Sequence, residues 1–487
     1  MGHVSNRFAL WVSIGRIASM LVVFAMPLVL TRFLTKEEYG VFSQFFTLYS
    51  ALYIIFGFGL SSSLFYYYPT ASKNDQEKYV SNTFFLVLVM SLVSILVLSL
   101  PFVQKALFSD GKLYDYRLFI VFCVALAVPM NIIAPVYTVR EDKIGAMILP
   151  PFVAILRVGT IILCAILFSD LLYVFIGLLI YQVLIFLLSF FYSLRFRIVH
   201  VDRDKLKDQL RYSIPLGFTV VLLQLSHYLD KIICISYIDP NEYAIYSVAF
   251  LSIPFINQIY DSLCQVNVMN MTTSYQENNL PKIVVLYRDF VTKTLSFSTP
   301  IILVVALYAE EIIGFLYPSS YSSAAPYFRI YTLTFLFAMF GAGTILRATG
   351  KTKYSTISFA LSFIFSFPAT YFLIKLYGIN GAIIGAVINQ ILPRFIQLLF
   401  EIKVTKSSFI QLFPWRNMIT ISVISIGLLL PLLILKSTSS FSIWFIMGLS
   451  GIYVMAAYLL MLKHDVFIMN VDSLKKLLSK FIKINNS

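Results

Sequence analysis

The sequence predicts an all-α polytopic membrane protein with about fourteen transmembrane helices: two six-helix lobes in parallel repeat, plus two extra C-terminal helices. Three observations predict this. Only 12 % of the 487 residues are charged. The chain is a succession of apolar runs. One ten-residue phrase occurs twice, 204 residues apart.

A soluble chain carries roughly 25 % charged residues. Here apolar residues make up 59 % and the mean hydropathy is +0.85, so the length translates into many spans rather than three soluble domains. Fourteen runs are long enough to cross hydrocarbon: 8–30, 40–68, 82–103, 118–137, 144–168, 171–194, 213–237, 242–270, 290–309, 326–346, 354–374, 379–400, 418–435 and 441–462. The first run is too long for a signal-peptide core, carries Arg16 and lacks an A-x-A site, so it reads as span 1.

With the N-terminus placed inside, inside segments hold 24 Lys and Arg and outside loops hold 7. This asymmetry predicts cytoplasmic termini and accounts for most of the +14 net charge without nucleic acid. The four scattered cysteines form no CxxC, which argues against a disulfide framework or zinc site. No metal and no cofactor is expected, and the chain has no P-loop sequence.

The repeated phrase is "LTKEEYGVFS" at 34–43 and "IDPNEYAIYS" at 238–247, opening spans 2 and 8. Thr35 and Glu38 fit a capping box, while Asp239 and Pro240 fit an N-cap and first helical residue. A second echo pairs "IGLLIYQVL" at 176–184 with "IGAVINQIL" at 384–392, matching Gly177 to Gly385 and Gln182 to Gln390. A third, weaker one pairs Arg140 with Arg347. Six spans per half is an even number, so both halves enter from the same side, as in a parallel repeat. The expected organisation is an N-terminal lobe (1–197), a cytoplasmic linker (198–212), a second lobe (213–402), the added helix pair 13–14 (403–462) and an amphipathic tail (463–487).

Those phrases, with "LRATGKTKYSTI" at 346–357 and "YGINGAIIGAVINQI" at 377–391, resemble the polysaccharide-unit flippases of the multidrug/oligosaccharidyl-lipid/polysaccharide superfamily. The resemblance covers nearly the whole chain. It implies a bacterial inner-membrane protein moving undecaprenyl-diphosphate-linked sugar units, such as O-antigen precursors, to the outer leaflet. Spans 1, 2, 7 and 8 would face a central cavity. Membrane lipids, and polysaccharide polymerase or assembly proteins, are the expected partners, with no nucleic acid.

An ionisable side chain at bilayer depth usually faces a bundle interior or a watery cavity. Basic residues predominate there: Arg16, Arg157, Lys231, Lys293, Arg329 and Arg394, against Asp230 and Asp261. Lys293 and Arg329 lie near span ends, where they can snorkel. Helical spacing gives polar stripes: Ser13, Arg16 and Ser19; Gln224, His227, Tyr228 and Lys231; Asn257, Asp261 and Gln265; Gln390, Arg394 and Gln397. Substrate binding is therefore expected at Arg16, Arg157, Lys231, Arg394, Gln224, Tyr228, Asn257 and Gln390. Arginines suit diphosphate oxygens. The other reading is that these bases pair with Asp230, Asp261 or carbonyls and hold helices together. His227, Asp230 and Asp261 are candidates for coupling or for structural charge.

An enzyme of the same pathways would need carboxylates on a sizeable outer domain, and no extramembrane stretch exceeds about 25 residues by this span assignment. No catalytic residue is expected. A multidrug exporter of the same superfamily would show an excess of buried acids. A peptidoglycan-precursor lipid flippase remains an alternative.

Overall fold

A computed structural model describes residues 6–467 apart from 109–110, 195–200, 252–255, 339, 341–342 and 439–441. The predicted tail helix at 472–487 lies outside the described residues. Every element among the described residues is an α- or 3-10 helix. Eleven helices are long and apolar enough to cross a membrane. One of them, Lys353–Thr405, is two helices joined at Gly378, whose φ of 55° and ψ of −130° break the helical path. It supplies spans 11 and 12. The two remaining predicted spans correspond to shorter pieces, Pro240–Ala249 with Ile256–Gln276 and Ala325–Ala338 with Thr344–Ala348. The helix Ile256–Gln276 is less apolar than those eleven, since its sequence carries Asn257, Asp261, Gln265, Asn267 and Asn270.

The chain packs into two compact units. The first comprises residues 1–247 and 367–385; the second comprises 248–366 and 386–487. These units differ from the two halves read from the sequence, because span 7 (Arg203–Tyr237), residues 240–247 and residues 367–385 fall in the first unit.

Span 7 is fastened at its start by a polar clasp. Asn82 donates from Nδ2 to the Asp202 carbonyl and accepts from the Asp202 N–H, each at 3.1 Å. Lys78 reaches the Asp202 carboxylate at 3.4 Å and Lys205 reaches Asp75 at 2.7 Å. The Lys205 backbone N–H and the neighbouring Lys78 and Lys205 ammonium groups hold the Asp202 carboxyl below its usual range, against the opposing effect of its partial desolvation. One turn further on, Gln209 is fully buried and donates to Ser63 Oγ, the Tyr79 carbonyl and Thr83 Oγ1.

The repeated phrases form the two helix corners that the sequence predicts. Thr35 and Glu38 make a complete capping box, with Thr35 N–H donating to Glu38 Oε2 at 2.8 Å and Glu38 N–H to Thr35 Oγ1 at 3.3 Å. In the other copy Asp239 Oδ2 accepts from the Asn241 N–H at 2.9 Å and the helix begins at Pro240. The copies also pack on each other within the first unit. Gly40 lies so close to the Pro240 backbone that a β-carbon there would collide with the carbonyl group. Tyr243 Oη donates to Thr47 Oγ1 at 2.9 Å. The Tyr39 hydroxyl sits between Ser43 and Ser247, the matched serines of the two phrases.

The second echo has a packing meaning as well. A β-carbon on Gly177 would lie 2.7 Å from the Thr160 carbonyl oxygen of span 5, and one on Gly385 would lie 2.6 Å from Thr370 Cγ2 of span 11. Each glycine lets the last helix of its half approach the preceding one, as small residues do where lipid supplies no hydrophobic drive for association.

In the second unit the added helices, Trp415–Thr438 and Ile443–Lys463, pack with span 9 (Leu280–Leu307). Their shared core contains Val304, Tyr308, Leu432, Ile446 and Tyr453. Tyr458 donates to the Phe297 carbonyl at 2.7 Å, and Lys436 bridges to the Leu307 carbonyl and Glu311 at 2.7 and 2.9 Å.

Gly40→Ala should lower the thermal unfolding midpoint of the purified protein, at a cost of about 1–3 kcal/mol from overpacking. Gly159→Ala, inside the helix Lys143–Phe168 with open space around it, should leave the midpoint unchanged or raise it slightly.

Candidate functional site

Of the expected site residues, Arg16, Arg157, Gln224, His227, Tyr228, Asp230 and Lys231 belong to the first unit, and Asn257, Asp261, Gln390 and Arg394 to the second. Each group is described within its own unit.

In the first unit Arg157 projects from span 5 (Lys143–Phe168) toward an aromatic stripe on span 2. Phe42, Phe46, Tyr49 and Tyr53 recur at helical spacing, with ring centroids 5.8, 5.7 and 5.6 Å apart in succession. The guanidinium lies 5.7 Å from the Phe46 ring centroid, within cation–π range. It also sits in the electrostatic neighbourhood of Tyr49, Tyr53 and Tyr181. Its Nε is buried and has no hydrogen-bond partner. Gln182, fully buried, donates from Nε2 to the Tyr49 hydroxyl at 2.5 Å. Tyr228 approaches the same stripe through Ser50. The stripe was visible in the sequence as aromatic residues at 42, 46, 49 and 53, but aromatic spacing in an apolar span reads first as packing.

Span 7 divides its polar residues by role. Asp230 is buried and accepts a hydrogen bond from the Tyr246 hydroxyl. Lys231 places Nζ 5.2 Å over the Tyr228 ring. Gln224 and Tyr228 are half-buried, and His227 is exposed. Arg16 is exposed on span 1 and acts electrostatically on Tyr137.

In the second unit Gln390 Oε1 accepts from Thr334 Oγ1 at 2.6 Å. Arg394, half-buried, returns one guanidinium hydrogen bond to the Gln390 carbonyl at 3.0 Å and lies near Tyr260 and Tyr331. Asn257 and Asp261 are exposed on the Ile256–Gln276 helix. The same helix carries Cys264, whose sulfur receives Arg347 Nη2 at 2.7 Å.

Glu401 was missed from sequence because span 12 was ended at residue 400. The helix runs on to Thr405, and Glu401 is fully buried. Its Oε1 accepts from the Ile345 N–H at 2.9 Å while Oε2 has no partner. The signal was present: Glu401 continues the Gln390, Arg394 and Gln397 stripe by one more turn.

The six intramembrane bases therefore separate. Arg329 pairs with Glu310 at 2.9 Å and Lys293 with Asp289 at 2.5 Å. Arg16, Arg157 and Arg394 make no ion pair among the described residues.

A family model described as polysaccharide biosynthesis protein matches residues 7–268, more than half of the chain. The chain belongs to this family. Among solved structures, this family member is similar to the lipid II flippase MurJ in an inward closed conformation. The TM-score is 0.70 and the identity 17 %, over 94 % of this chain and 99 % of MurJ. An inward-facing multidrug resistance MATE family transporter of the MOP superfamily matches with a TM-score of 0.61 and 15 % identity, over 81 % of this chain and 94 % of that one. These likenesses establish the fold. An uncharacterized membrane protein of Methanocaldococcus jannaschii, MJ1068, is 26 % identical over 191 residues, 38 % of this chain and 36 % of that protein. The chain thus spans about a third of the length of that curated relative.

Tyr246→Phe would leave the buried Asp230 carboxylate without its donor. The expected loss is about 1–3 kcal/mol, read as a lower unfolding midpoint, with Asp230→Asn tolerated better than Asp230→Leu. Glu401→Leu removes the acceptor of the buried Ile345 N–H and should destabilise by a similar amount. Glu401→Gln keeps an acceptor oxygen and should unfold within a degree or two of wild type.

Proposed function

We propose that this protein is a flippase that carries undecaprenyl-diphosphate-linked oligosaccharide units from the cytoplasmic to the outer leaflet by alternating access. The observation that carries the reading is the set of three span arginines, Arg16, Arg157 and Arg394, that make no ion pair among the described residues. A guanidinium kept inside a membrane protein without a carboxylate calls for another anion. A diphosphate fits, since Arg binds phosphate oxygens through paired N–H donors. The aromatic stripe and the Gln, Tyr and Ser side chains beside Arg157 suit the sugar moieties. Membership of the polysaccharide biosynthesis family supports a glycan cargo.

The cargo's charge also bears on its energetics. Outward movement of an anion along a negative-inside potential is favourable by up to about 2.3 kcal/mol per charge per 100 mV, so no bound nucleotide is needed in principle.

A second reading, a peptidoglycan-precursor lipid flippase, draws on the likeness to MurJ, which extends over 94 % of this chain. Both cargoes carry a diphosphate, so the arginines favour neither.

A deletion strain assayed for lipid-linked oligosaccharide by leaflet tests the proposal. Inner-leaflet accumulation with loss of surface glycan is expected. Arg157→Gln at normal protein level should restore tenfold less export than wild type, or worse. Surface glycan at normal amount but altered chain length in the deletion strain would refute the reading. Failure of peptidoglycan synthesis instead would favour the second.

A further inference from the structure

A cavity of about 670 Å³ opens in the second unit where span 9 meets the start of span 13, lined by Arg288, Lys293, Phe413, Trp415, Arg416 and Asn417 among others. None of these residues belongs to the transport reading. The volume is that of an ordinary small-ligand site.

The lining has uncommitted positive charge. Lys293 is bound to Asp289 at 2.5 Å. The other acidic group on the wall is Asp465. Arg288 Nε is buried without a hydrogen-bond partner. Arg416 is exposed, makes no ion pair among the described residues and occupies the first turn of the Trp415–Thr438 helix. A cation there opposes the helix dipole, and the N–H groups of that turn lack intrahelical acceptors. One anion in the cavity answers all of these at once.

The cavity is rigidly framed. Ser408 and Gln411 form a capping box on the turn Phe409–Leu412. Trp415 Nε1 donates to the Ile410 carbonyl at 3.1 Å. The Trp415 ring centroid lies 5.7 Å from those of both Phe409 and Phe413. Aromatic rings of this kind mark the membrane–water boundary. From the cavity-lining Trp415, the helix continues along an exposed apolar face through Ile419 and Val423. Ile410, on the cavity rim, is 72 % exposed. An ionic cavity at the head of an apolar helix face matches the division of a phospholipid into headgroup and acyl chains, and basic pockets between transmembrane helices hold such headgroups.

We propose that this cavity binds the phosphate headgroup of an anionic membrane phospholipid, with the acyl chains lying along the Ile419 and Val423 face. The lipid would be a fixed ligand of the second unit, distinct from the transported cargo.

Native mass spectrometry of the purified full chain tests this with phosphatidylglycerol, phosphatidylcholine and inorganic phosphate as probes. Phosphatidylglycerol should be retained about tenfold better than phosphatidylcholine, and millimolar inorganic phosphate should not displace it. Arg416→Gln, at an exposed position, should reduce retention about tenfold, and the double variant with Arg288→Gln should abolish the preference. Lys351→Gln, an equal charge loss outside the cavity, should retain wild-type binding. Equal retention of the two lipids, or an unchanged preference in the folded Arg416→Gln variant, overturns the proposal. Displacement by inorganic phosphate would assign the cavity to a free anion and equally overturn it.

Discussion

Hydrocarbon offers no hydrogen bonds, so every polar group taken into the membrane must find its partner in the protein. The rest of this structure follows from that constraint. Regular helices satisfy it alone, and the eleven long apolar helices do so wherever their path is unbroken. The informative places are those where the helix is interrupted or a side chain is charged. Ile345, just past the start of the short Thr344–Ala348 helix, has its N–H taken by Glu401 from span 12. Asp230 is held by Tyr246 and Gln182 by Tyr49. These contacts are specific because their absence would leave a buried group unpaired, which costs more than the contact itself contributes.

The same constraint explains why small residues recur at helix contacts. Lipid tails are as apolar as leucine, so burying leucine between helices gains little, and close backbone approach must supply the attraction. Gly40 against Pro240, Gly177 against Thr160 and Gly385 against Thr370 are three such approaches. Two of them coincide with the sequence echoes at the ends of the halves, and the third lies inside the repeated phrase. The matched pair Gly177 and Gly385 keeps a close approach in both halves, whereas Gly40 corresponds to Ala244 in the other copy of the phrase. Of the echoed glutamines, Gln182 is tied to span 2 and Gln390 to span 10.

The helical plan was legible in the sequence because transmembrane segments announce themselves by length and hydropathy, and their caps by local spacing. Thr35 and Glu38 formed the expected box. What depended on contacts far apart in the chain was not legible. Nothing in "EYGVFS" or "EYAIYS" shows that the two corners pack on each other, since similarity of sequence does not imply proximity. Glu401 was hidden by the convention that an acid ends a span; its burial is created by Ile345, 56 residues earlier. The basic cavity beside Trp415 was equally out of reach, because Arg288 and Arg416 are separated by more than a hundred residues and each reads alone as a loop charge.

The distribution of charge is the last step. An unpaired guanidinium inside a membrane protein is tolerated only if its solvation can be replaced, by water or by an anionic ligand. A fixed carboxylate is the alternative, as in Arg329 with Glu310 and Lys293 with Asp289 near span ends. It would compete with any phosphate that had to bind and leave. Arg157 lies over the Phe46 ring with its Nε unpartnered, and Arg394 returns to its own helix. Under the proposed function such groups would bind an anion transiently, because no protein carboxylate competes for them and no fixed partner would hold the anion permanently. The proposed transport of diphosphate-linked sugars would require that intermediate strength, since its cargo must both bind and leave.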